Sequence, residues 1–393
     1  MSELILVLNC GSSSIKFALF DAARAPLPRT PLWNGKVDGI AGPAPTFGET
    51  GVAPGPVALD PQRPYHAALE HIRARVLARL GGRRIRAIAH RVVHGGSKYF
   101  APVRVDAAVL ADLRDYIPLA PLHQPFALEA IAALLQSSPD LPQVACFDTA
   151  FHHDMPAVER MLPLSWDAWE RGLRRYGFHG LSYEYQSIAL AERYGDRARG
   201  RTIVAHLGSG ASLCAMQDLR SVATTMGFSA LDGLMMGTRT GALDPGAVIY
   251  LMQIEKLSLE EVGQLLYHRS GLLGVSGVSS DPRVLLPQEA ANPRVQAALA
   301  LYVRRIVREI GALAAVLGGL DMLVFTAGIG EHNAVIRERV CAALGYLGVR
   351  LDTQANAAHA PLVSTHDSAV AVAVEPTNEE WVAALRAHEQ VAA

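Results

Sequence analysis

Paired cysteines, an excess of one charge and long uninterrupted apolar runs are all missing from this 393-residue sequence. Lys plus Arg number 36 and Asp plus Glu 37, so the net charge of −1 indicates neither nucleic acid nor an anionic membrane surface as a partner. The four cysteines lie far apart, so neither a zinc ribbon nor a disulfide framework is indicated. Widely spaced cysteines with apolar neighbours are typical of a reducing cytosol.

The sequence also lacks the pattern of a signal peptide or a membrane span. Its first apolar run is short and has no basic leader before it. The apolar stretch 299–320 contains four charged residues, Arg304, Arg305, Arg308 and Glu309, which predicts an amphipathic helix. We therefore expect a cytoplasmic protein with no membrane partner, and the length predicts two or more domains.

Strands and helices are expected to alternate along most of the chain. Apolar runs and turn residues predict hairpins at 1–21 and 201–218, strands at 85–96 and 143–152, a helix at 65–80, and strand–turn–helix units at 321–344 and 368–388. The Pro- and Gly-rich segment 40–64 is expected to be an irregular surface excursion without chemistry.

The two predicted hairpins resemble each other. VLNCGSSSIKFALFD can be laid over VAHLGSGASLCAMQD at an offset of 197 residues, 208 minus 11, which is about half of the chain. The superposition aligns identical residues, among them Gly11 with Gly208, Ala18 with Ala215, and Asp21 with Asp218. We interpret this as a repeat that predicts two similar lobes with a nucleotide between them, the alternative being a chance likeness of two small-residue turns.

Small-residue turns of this kind are suited to phosphate. Gly and Ser let backbone N–H groups approach an anion, and the serines at 12–14 add hydroxyl donors. Lys16 supplies a cation, and Asn9 an amide oxygen that can reach a metal or its water. In AGIGEHN, at 327–333, glycines lie at a helix N-terminus, where donors favour anions. An ordinary tight hairpin with polar residues is the alternative for either hairpin taken alone.

Arg91 lies inside the predicted apolar strand AIAHRVVHGG. A buried guanidinium needs an anionic partner. The residues alone leave two alternatives open: a protein carboxylate in a structural ion pair, or a bound anionic substrate.

Ten short motifs then occur in order between Val7 and Glu380: VLNCGSSSIKF, HRVVHGG, APLH, FDTAFH, YGFHG, HLGSG, MGF followed by GLMMGTRTG, SGLLGVSG, GIGE and PTNEE. As a set they resemble the acetate kinase family. The resemblance implies an α/β fold of two actin-like (ribonuclease H-like) lobes, each a mixed β-sheet flanked by helices, with the active-site cleft between them. It implies an N-terminal lobe of 1–150 plus 376–393 and a C-terminal nucleotide-binding lobe of 151–375.

The resemblance also implies an activity, namely reversible in-line phosphoryl transfer from Mg-ATP to acetate, which gives acetyl phosphate and ADP. The metal would be Mg²⁺, with Mn²⁺ as an alternative, and the enzyme a cytoplasmic homodimer. A propionate kinase on the same fold is the nearest alternative. A nucleotide-dependent binding module of the actin or Hsp70 type is an alternative from another class.

By the same resemblance, Arg91 binds the acyl substrate, while Arg239 and His179 stabilise the transferring phosphoryl group. Asp148 has an acid/base role in the family. A carboxylate nucleophile needs no base, however, so we expect Asp148 to orient a metal-bound water or Arg91. Asn9 and Glu379 match the family's magnesium positions.

The remaining matches line the acyl pocket and hold ATP. The acyl pocket is expected to contain Val93, Leu122, Phe178 and Ala230. Ala230 stands where the family has a proline, which predicts use of propionate as well as acetate. The nucleotide is expected to contact Lys16, His206, Leu207, Gly208, Ser209, Gly210, Asp281, Pro282, Arg283, Gly328, Ile329, Gly330, Glu331 and His332. Ser209 and His332 each replace an asparagine of the family pattern, which leaves the nucleotide preference open.

Overall fold

A computed structural model describes residues 3–121 and 123–392. The chain divides into two compact units, Met1–Ala150 with Asn378–Ala393, and Phe151–Thr377. Each unit is built on its own β-sheet. Within the described ranges, no helix combines the length and the apolar character needed to cross a membrane.

The first unit contains an eight-stranded sheet in the order β5-β4-β3-β2-β1-β6-β8-β7. Its strands are β1 (Glu3–Cys10), β2 (Ser14–Asp21), β3 (Trp33–Asp38), β4 (Thr46–Glu49), β5 (Val52–Pro56), β6 (Arg84–Val92), β7 (Val103–Arg104) and β8 (Gln143–Phe147). β1, β6 and β8 run parallel to one another and are largely buried, as expected for strands covered by helices on each side.

The second unit contains a five-stranded sheet in the order β11-β10-β9-β12-β13. Its strands are β9 (Thr202–Leu207), β10 (Ala211–Gln217), β11 (Arg220–Thr224), β12 (Met322–Thr326) and β13 (Ala371–Val374). β9 pairs antiparallel with β10 and parallel with β12, which pairs parallel with β13. This is the order and direction of β3-β2-β1-β6-β8 in the first sheet, so the predicted repeat is a repeat of the sheet core.

The hairpin alignment needs a correction in its second strand. Val7 pairs with Ala18 in the first hairpin, whereas Val204, which lies 197 residues further on, pairs with Cys214 and not with Ala215. The turn between β9 and β10 is one residue shorter than the turn between β1 and β2. The alignment of the two hairpins is therefore correct up to the first glycine of each turn. Beyond that glycine, the second strands are displaced by one residue relative to the alignment.

The helices of the described chain are α1 (Pro64–Arg79), α2 (Ala107–Asp115), α3 (Gln124–Ser137), α4 (Ala157–Arg160), α5 (Trp166–Glu170), α6 (Gly180–Tyr194), α7 (Asp196–Arg199), α8 (Pro245–Gln253), α9 (Leu259–His268), α10 (Gly271–Ser276), α11 (Pro282–Leu285), α12 (Pro293–Leu317), α13 (Ala327–His332), α14 (Ala334–Ala342), α15 (Thr353–Ala357) and α16 (Glu379–Ala392). α16 belongs to the first unit and packs on β1 and β6.

The apolar stretch near residue 300 forms the amphipathic helix that its charges predict. In α12 the Asn292 side chain accepts from the N–H groups of Arg294 and Val295, with proline in the first turn. The helix ends at Leu317 and is capped by Gly318, whose φ of 71° is the left-handed conformation that glycine adopts readily. The predicted mixed α/β architecture of two sheets flanked by helices is confirmed.

Two local predictions were wrong. The segment 40–64 is not irregular throughout, because it contains β4 and β5, which extend the edge of the first sheet. Its prolines are tolerated there, since Pro54 and Pro56 lie on the outermost strand, where a missing N–H breaks no ladder. In addition, no separate glycine turn follows β12, because Gly328 and Gly330 lie within α13 itself.

Candidate active site

Parallel pairing in the first sheet brings Arg91 beside Asp148. Arg91 is next to last in β6, and its register partner on β8 is Cys146, two residues before Asp148. Glu379 reaches the same place as the first residue of α16. Three residues that are far apart in the sequence therefore meet at the carboxyl ends of these strands.

Arg91 is ion-paired with both carboxylates. Its Nε lies 3.0 and 3.1 Å from the two carboxylate oxygens of Asp148, and its Nη2 lies 2.8 Å from Oδ2. Its Nη1 lies 2.7 Å from Glu379 Oε2. The sequence left open whether the anionic partner of Arg91 is a protein carboxylate or a substrate. The structure shows the ion pairs with protein carboxylates, and a substrate partner for Arg91 stays a prediction.

This cluster carries one more negative than positive charge. Burial by itself would lower the pKa of Arg91, but the charges of Asp148 and Glu379 outweigh it and raise that pKa. Burial raises the pKa of the Glu379 carboxyl, against the opposing charge of Arg91. Surplus negative charge in a mostly buried cluster favours the binding of a further cation.

The predicted metal ligands fit a hard divalent cation. Asn9 on β1 is the register partner of Lys16 on β2, and the charge of Lys16 acts on Glu379. An amide oxygen and one carboxylate are oxygen donors of the kind that Mg²⁺ accepts while it keeps several waters. Among the described residues no cluster of three or more His, Cys, Asp or Glu forms a metal site, so the remaining ligands would have to be waters or phosphate.

In the second unit, His179 and Arg239 converge on the glycine turn between β9 and β10. A Cβ placed on Gly210 would lie 3.4 Å from His179 Nε2 and 3.5 Å from Arg239 Nη1. A side chain at Gly210 would therefore crowd both groups. His179 itself has a φ of 58°, a left-handed conformation that is uncommon for a residue other than glycine.

Arg239 differs from Arg91 in its partners. Its Nη1 donates to the Ala230 carbonyl at 3.0 Å, and within the described part of the chain no carboxylate lies in ion-pair distance of it. Burial lowers the pKa of Arg239. A mostly buried guanidinium paired only with neutral groups favours an anionic ligand.

A cavity of about 260 Å³ lies beside the same turn. It is lined by residues from three predicted nucleotide segments, namely Gly208, Ser209, Asp281, Pro282, Arg283, Gly328, Ile329 and His332, and by Ser280 and Asn333, which the sequence reasoning missed. Each missed residue adjoins a predicted segment, and Asn333 also caps α14. Extending each set of predicted contacts by one residue would have included both.

The other predicted nucleotide residues are not in the cavity lining. Leu207 is fully buried in the sheet, and Gly330 is buried in α13. Glu331 Oε1 accepts from the N–H groups of Ala327 and Thr377. The first N–H group of α13 is thus bound by this internal carboxylate. Lys16 lies in the first unit, on β2.

Arg283 is bound at the cavity by a neighbouring carboxylate. Its Nε lies 3.0 and 3.1 Å from the Asp281 oxygens, and its Nη2 lies 2.6 Å from Oδ2. The hydrogen bonds from Arg283 lower the pKa of Asp281. The ion pair is electrically neutral overall, which suits a base or ribose better than a phosphate.

Arg337 supports α13 from behind, and no sequence signal pointed to it. It is fully buried, and its Nη1 donates to the carbonyls of Gly330 and Glu331, both at 2.8 Å. Its Nε and Nη2 donate to the side chain and carbonyl of Asn356. A cation at the last carbonyls of a helix stabilises that helix, so Arg337 holds the element that carries Gly328 and Ile329.

The predicted acyl-pocket residues are spread over the chain. Val93 follows β6 in the first unit and is partly buried. Phe178, which is buried, and Ala230, which is partly buried, are in the second unit. Leu122 lies outside the described residues. Their grouping into one pocket stays a prediction.

The duplicated sheet is typical of kinases with the actin-like fold. Comparison with known proteins gives the family. The Acetokinase family profile matches residues 4–385. An acetate kinase of Rhodopseudomonas palustris is 48% identical over 391 residues, which cover 98% of this chain and 97% of the relative. The chain belongs to the acetokinase family.

Solved structures agree with this assignment. The crystal structure of Porphyromonas gingivalis acetate kinase matches with a TM-score of 0.86 and 35% identity, covering 100% of both chains. A propionate kinase from Francisella tularensis matches with a TM-score of 0.89 and 34% identity, covering 98% of this chain and 99% of that one. The sequence-based prediction of the acetate kinase family is confirmed.

Proposed function

We propose that this protein catalyses reversible phosphoryl transfer between ATP and acetate, forming acetyl phosphate and ADP. The observation that carries the proposal is the convergence of His179 Nε2 and Arg239 Nη1 on the glycine turn at Gly210. Phosphoryl transfer asks a protein mainly for positioning and for donors aimed at the equatorial oxygens. A histidine and a guanidinium without a carboxylate in ion-pair distance, within the described residues, supply such donors.

Arg91 is the proposed site for the carboxylate substrate. A guanidinium can hold a carboxylate by two parallel hydrogen bonds. Asp148 orients this guanidinium by its own bidentate contact and does not abstract a proton. An acetate ion is already deprotonated at neutral pH, because carboxyl pKa values lie near 4, so the nucleophile needs no base.

The two reactants are both anions, so positive charge is required where they react. Two unit charges about 4 Å apart repel by roughly 4 kcal/mol at an effective dielectric constant near 20. Asn9 and Glu379 would hold Mg²⁺, or Mn²⁺ in its place, as a partly hydrated ion. When bound, the metal neutralises phosphate charge. The surplus negative charge around Glu379 supports a requirement for this metal ion.

ATP is proposed to lie with its phosphates at the turn 208–210 and its base or ribose in the 260 Å³ cavity. The neutral Asp281–Arg283 pair supports this orientation. Lys16, His206 and the turn residues remain the proposed phosphate contacts. His332, where the family pattern has asparagine, is exposed at the rim of this cavity.

We also propose the domain division, the location and the assembly state of the protein. The proposed domains are 1–150 plus 376–393, and 151–375, whose second boundary lies two residues before that of the compact units at Asn378. The protein acts in the cytoplasm, which its four buried free cysteines support. A homodimer is proposed, and it is supported by α8, which buries none of its residues and exposes Ile249 and Tyr250 by more than half. Its partners are otherwise small molecules: a carboxylate and ATP or ADP.

One assay tests the activity directly. The protein is mixed with Mg-ATP and a panel of short carboxylic acids, and acyl phosphate is trapped with hydroxylamine. Acetate-dependent hydroxamate supports the proposal. A preference for propionate would instead support the second candidate, which the likeness to the Francisella tularensis propionate kinase favours. Phosphate release that does not depend on added acid would contradict both.

A further inference from the structure

Two histidine rings stack on each other in the second unit. The ring centroids of His179 and His206 are 4.1 Å apart, with 17° between the planes. A Cβ placed on Gly210 would lie 3.4 Å from His179 Nε2, and one on Gly208 would lie 3.8 Å from His206 Nε2. Both Nε2 atoms therefore face the same glycine turn.

The Nδ1 atoms of both rings contact buried serines. His179 Nδ1 lies 2.8 Å from the hydroxyl of Ser212, and His206 Nδ1 lies 2.8 Å from the hydroxyl of Ser182. Both serines are fully buried. Neither was among the residues singled out from the sequence.

Each serine also contacts a second hydroxyl on its other side. Tyr183 Oη lies 2.6 Å from Ser212 Oγ, and Thr377 Oγ1 lies 2.8 Å from Ser182 Oγ. We call Tyr183–Ser212 and Thr377–Ser182 the two hydroxyl pairs. The arrangement repeats: in each, a hydroxyl contacts a serine, the serine contacts an Nδ1 atom, and the Nε2 atom faces the turn.

The direction of these hydrogen bonds decides which nitrogen carries the proton. If Tyr183 donates to Ser212, the serine proton is free to donate to His179 Nδ1, and the ring proton sits on Nε2. The reverse direction would leave a lone pair on Nε2 facing the turn. A lone pair repels phosphate oxygens, whereas an N–H binds them.

We infer that the two hydroxyl pairs hold both stacked imidazoles as the Nε2–H tautomer, so that each ring donates a hydrogen bond toward the glycine turn. This inference rests on the proposed function, because it takes the ligand at the turn to be a phosphoryl oxygen. Ser212 and Ser182 are then positioning residues, and His206 donates alongside His179. The two donors suit adjacent oxygens of a polyphosphate.

A third histidine in the same unit provides a matched control. His152 Nδ1 lies 2.8 Å from Ser221 Oγ, and its Nε2 lies 2.9 Å from the Phe178 carbonyl. A carbonyl only accepts, so His152 must donate through Nε2 whether or not Ser221 is present. Ser221→Ala thus removes a similar buried hydrogen bond, but the Phe178 carbonyl still holds His152 as the Nε2–H tautomer.

The kinetic test compares Ser212→Ala with Ser221→Ala in the full-length protein. We expect S212A to lower kcat by about 10-fold to 100-fold, which is a smaller loss than the removal of a whole transition-state donor would cause. The KM for Mg-ATP should change by less than about threefold. S221A should keep kcat within about twofold. Equal losses of kcat in the two variants would overturn the inference.

A spectroscopic test does not require turnover. Long-range ¹H–¹⁵N spectra of ¹⁵N-histidine-labelled protein report which ring nitrogen is protonated, and the signals missing in His179→Asn assign that residue. We expect His179 as the Nε2–H tautomer in the wild type and a mixture of tautomers in S212A. A wild-type Nδ1–H tautomer would overturn the inference. Absence of acyl phosphate from the wild type would instead contradict the proposed function, and these spectra would still decide the tautomer.

Discussion

Arg91 binds both carboxylate oxygens of Asp148, at 2.8 to 3.1 Å, and the Asp148 side chain is only 4% exposed. This contact fixes the plane of the guanidinium and leaves Nη1 directed at Glu379. Arg239 has no such carboxylate among the described residues. The two arginines proposed for one reaction therefore have opposite electrostatic surroundings.

Neutral substitutions of the two arginines should differ in their effect on the stability of the fold, although both should lower activity. Arg91→Gln leaves Asp148 and Glu379 without their cation, so we expect it to lower the free energy of unfolding by about 3–5 kcal/mol as well as activity. Arg239→Gln removes a desolvated charge, so unfolding should change by less than about 1 kcal/mol while kcat falls about 100-fold to 1,000-fold. Urea unfolding and the hydroxamate assay measure the two effects. Marked destabilisation by R239Q would contradict the proposed absence of a protein partner for that charge.

Asp148→Asn tests whether the carboxylate positions Arg91 or acts as a base. The amide offers one acceptor where the carboxylate offers two, so the guanidinium loses its orientation. We expect KM for acetate to rise and kcat to fall, each by about 10-fold or more, with the pH dependence of kcat keeping the wild-type shape. Asp167→Asn, in an exposed pair with Arg171, is the control and should change neither constant. Loss of an ionisation from the D148N profile would favour a base.

Acid should unfold the protein partly through buried histidines. Burial lowers the pKa of His90, His94 and His152 to about 4. The unfolded chain takes up these protons near pH 6.5 and the folded chain does not, so the stabilisation is present above pH 6.5 and is lost as pH falls toward 4. His90→Gln should reduce the slope of unfolding free energy against pH by about 1.4 kcal/mol per pH unit in this window. Urea titrations at several pH values would show this, and an unchanged slope would contradict it.

The choice of acid should depend on residue 230. Ala230→Pro restores the family's bulkier residue and should reduce kcat/KM for propionate relative to acetate. One methylene in an apolar pocket is worth about 1–3 kcal/mol, so the ratio should change by about 10-fold. Ala230→Gly, which adds no volume, should not favour acetate. If the ratio stays the same in A230P, residue 230 does not form a wall of the acyl pocket.

An exposed apolar helix should form the interface between two copies. Ile249 on α8 is 52% exposed, and α8 is mainly apolar. Ile249→Glu would place a charge in the buried interface, and we expect it to convert a dimer into a monomer in light scattering after gel filtration. Val52→Glu, at a comparably exposed residue on β5, should leave the mass unchanged. A wild-type monomer would contradict the homodimer proposal.

Local patterns in the sequence were enough for the main elements of the fold. Apolar runs specify β1, β9 and β12, because strands buried on both faces must be apolar at nearly every position. The likeness of the turns at Gly11 and Gly208 indicated the duplicated sheet. The one-residue shift after them was not readable, because the length of a turn sets the register and is not fixed by its residue types.

The sequence by itself therefore determined the central strands β1, β6, β9 and β12 and the long amphipathic helix α12, and it placed Arg91 in a strand that is largely buried. Only the tertiary structure decided that Arg91 meets Asp148 and Glu379, and that buried serines contact the stacked rings of His179 and His206. The physical reason is that these contacts join residues many positions apart. Their geometry follows from parallel strand pairing and helix packing, which no local pattern of residues records.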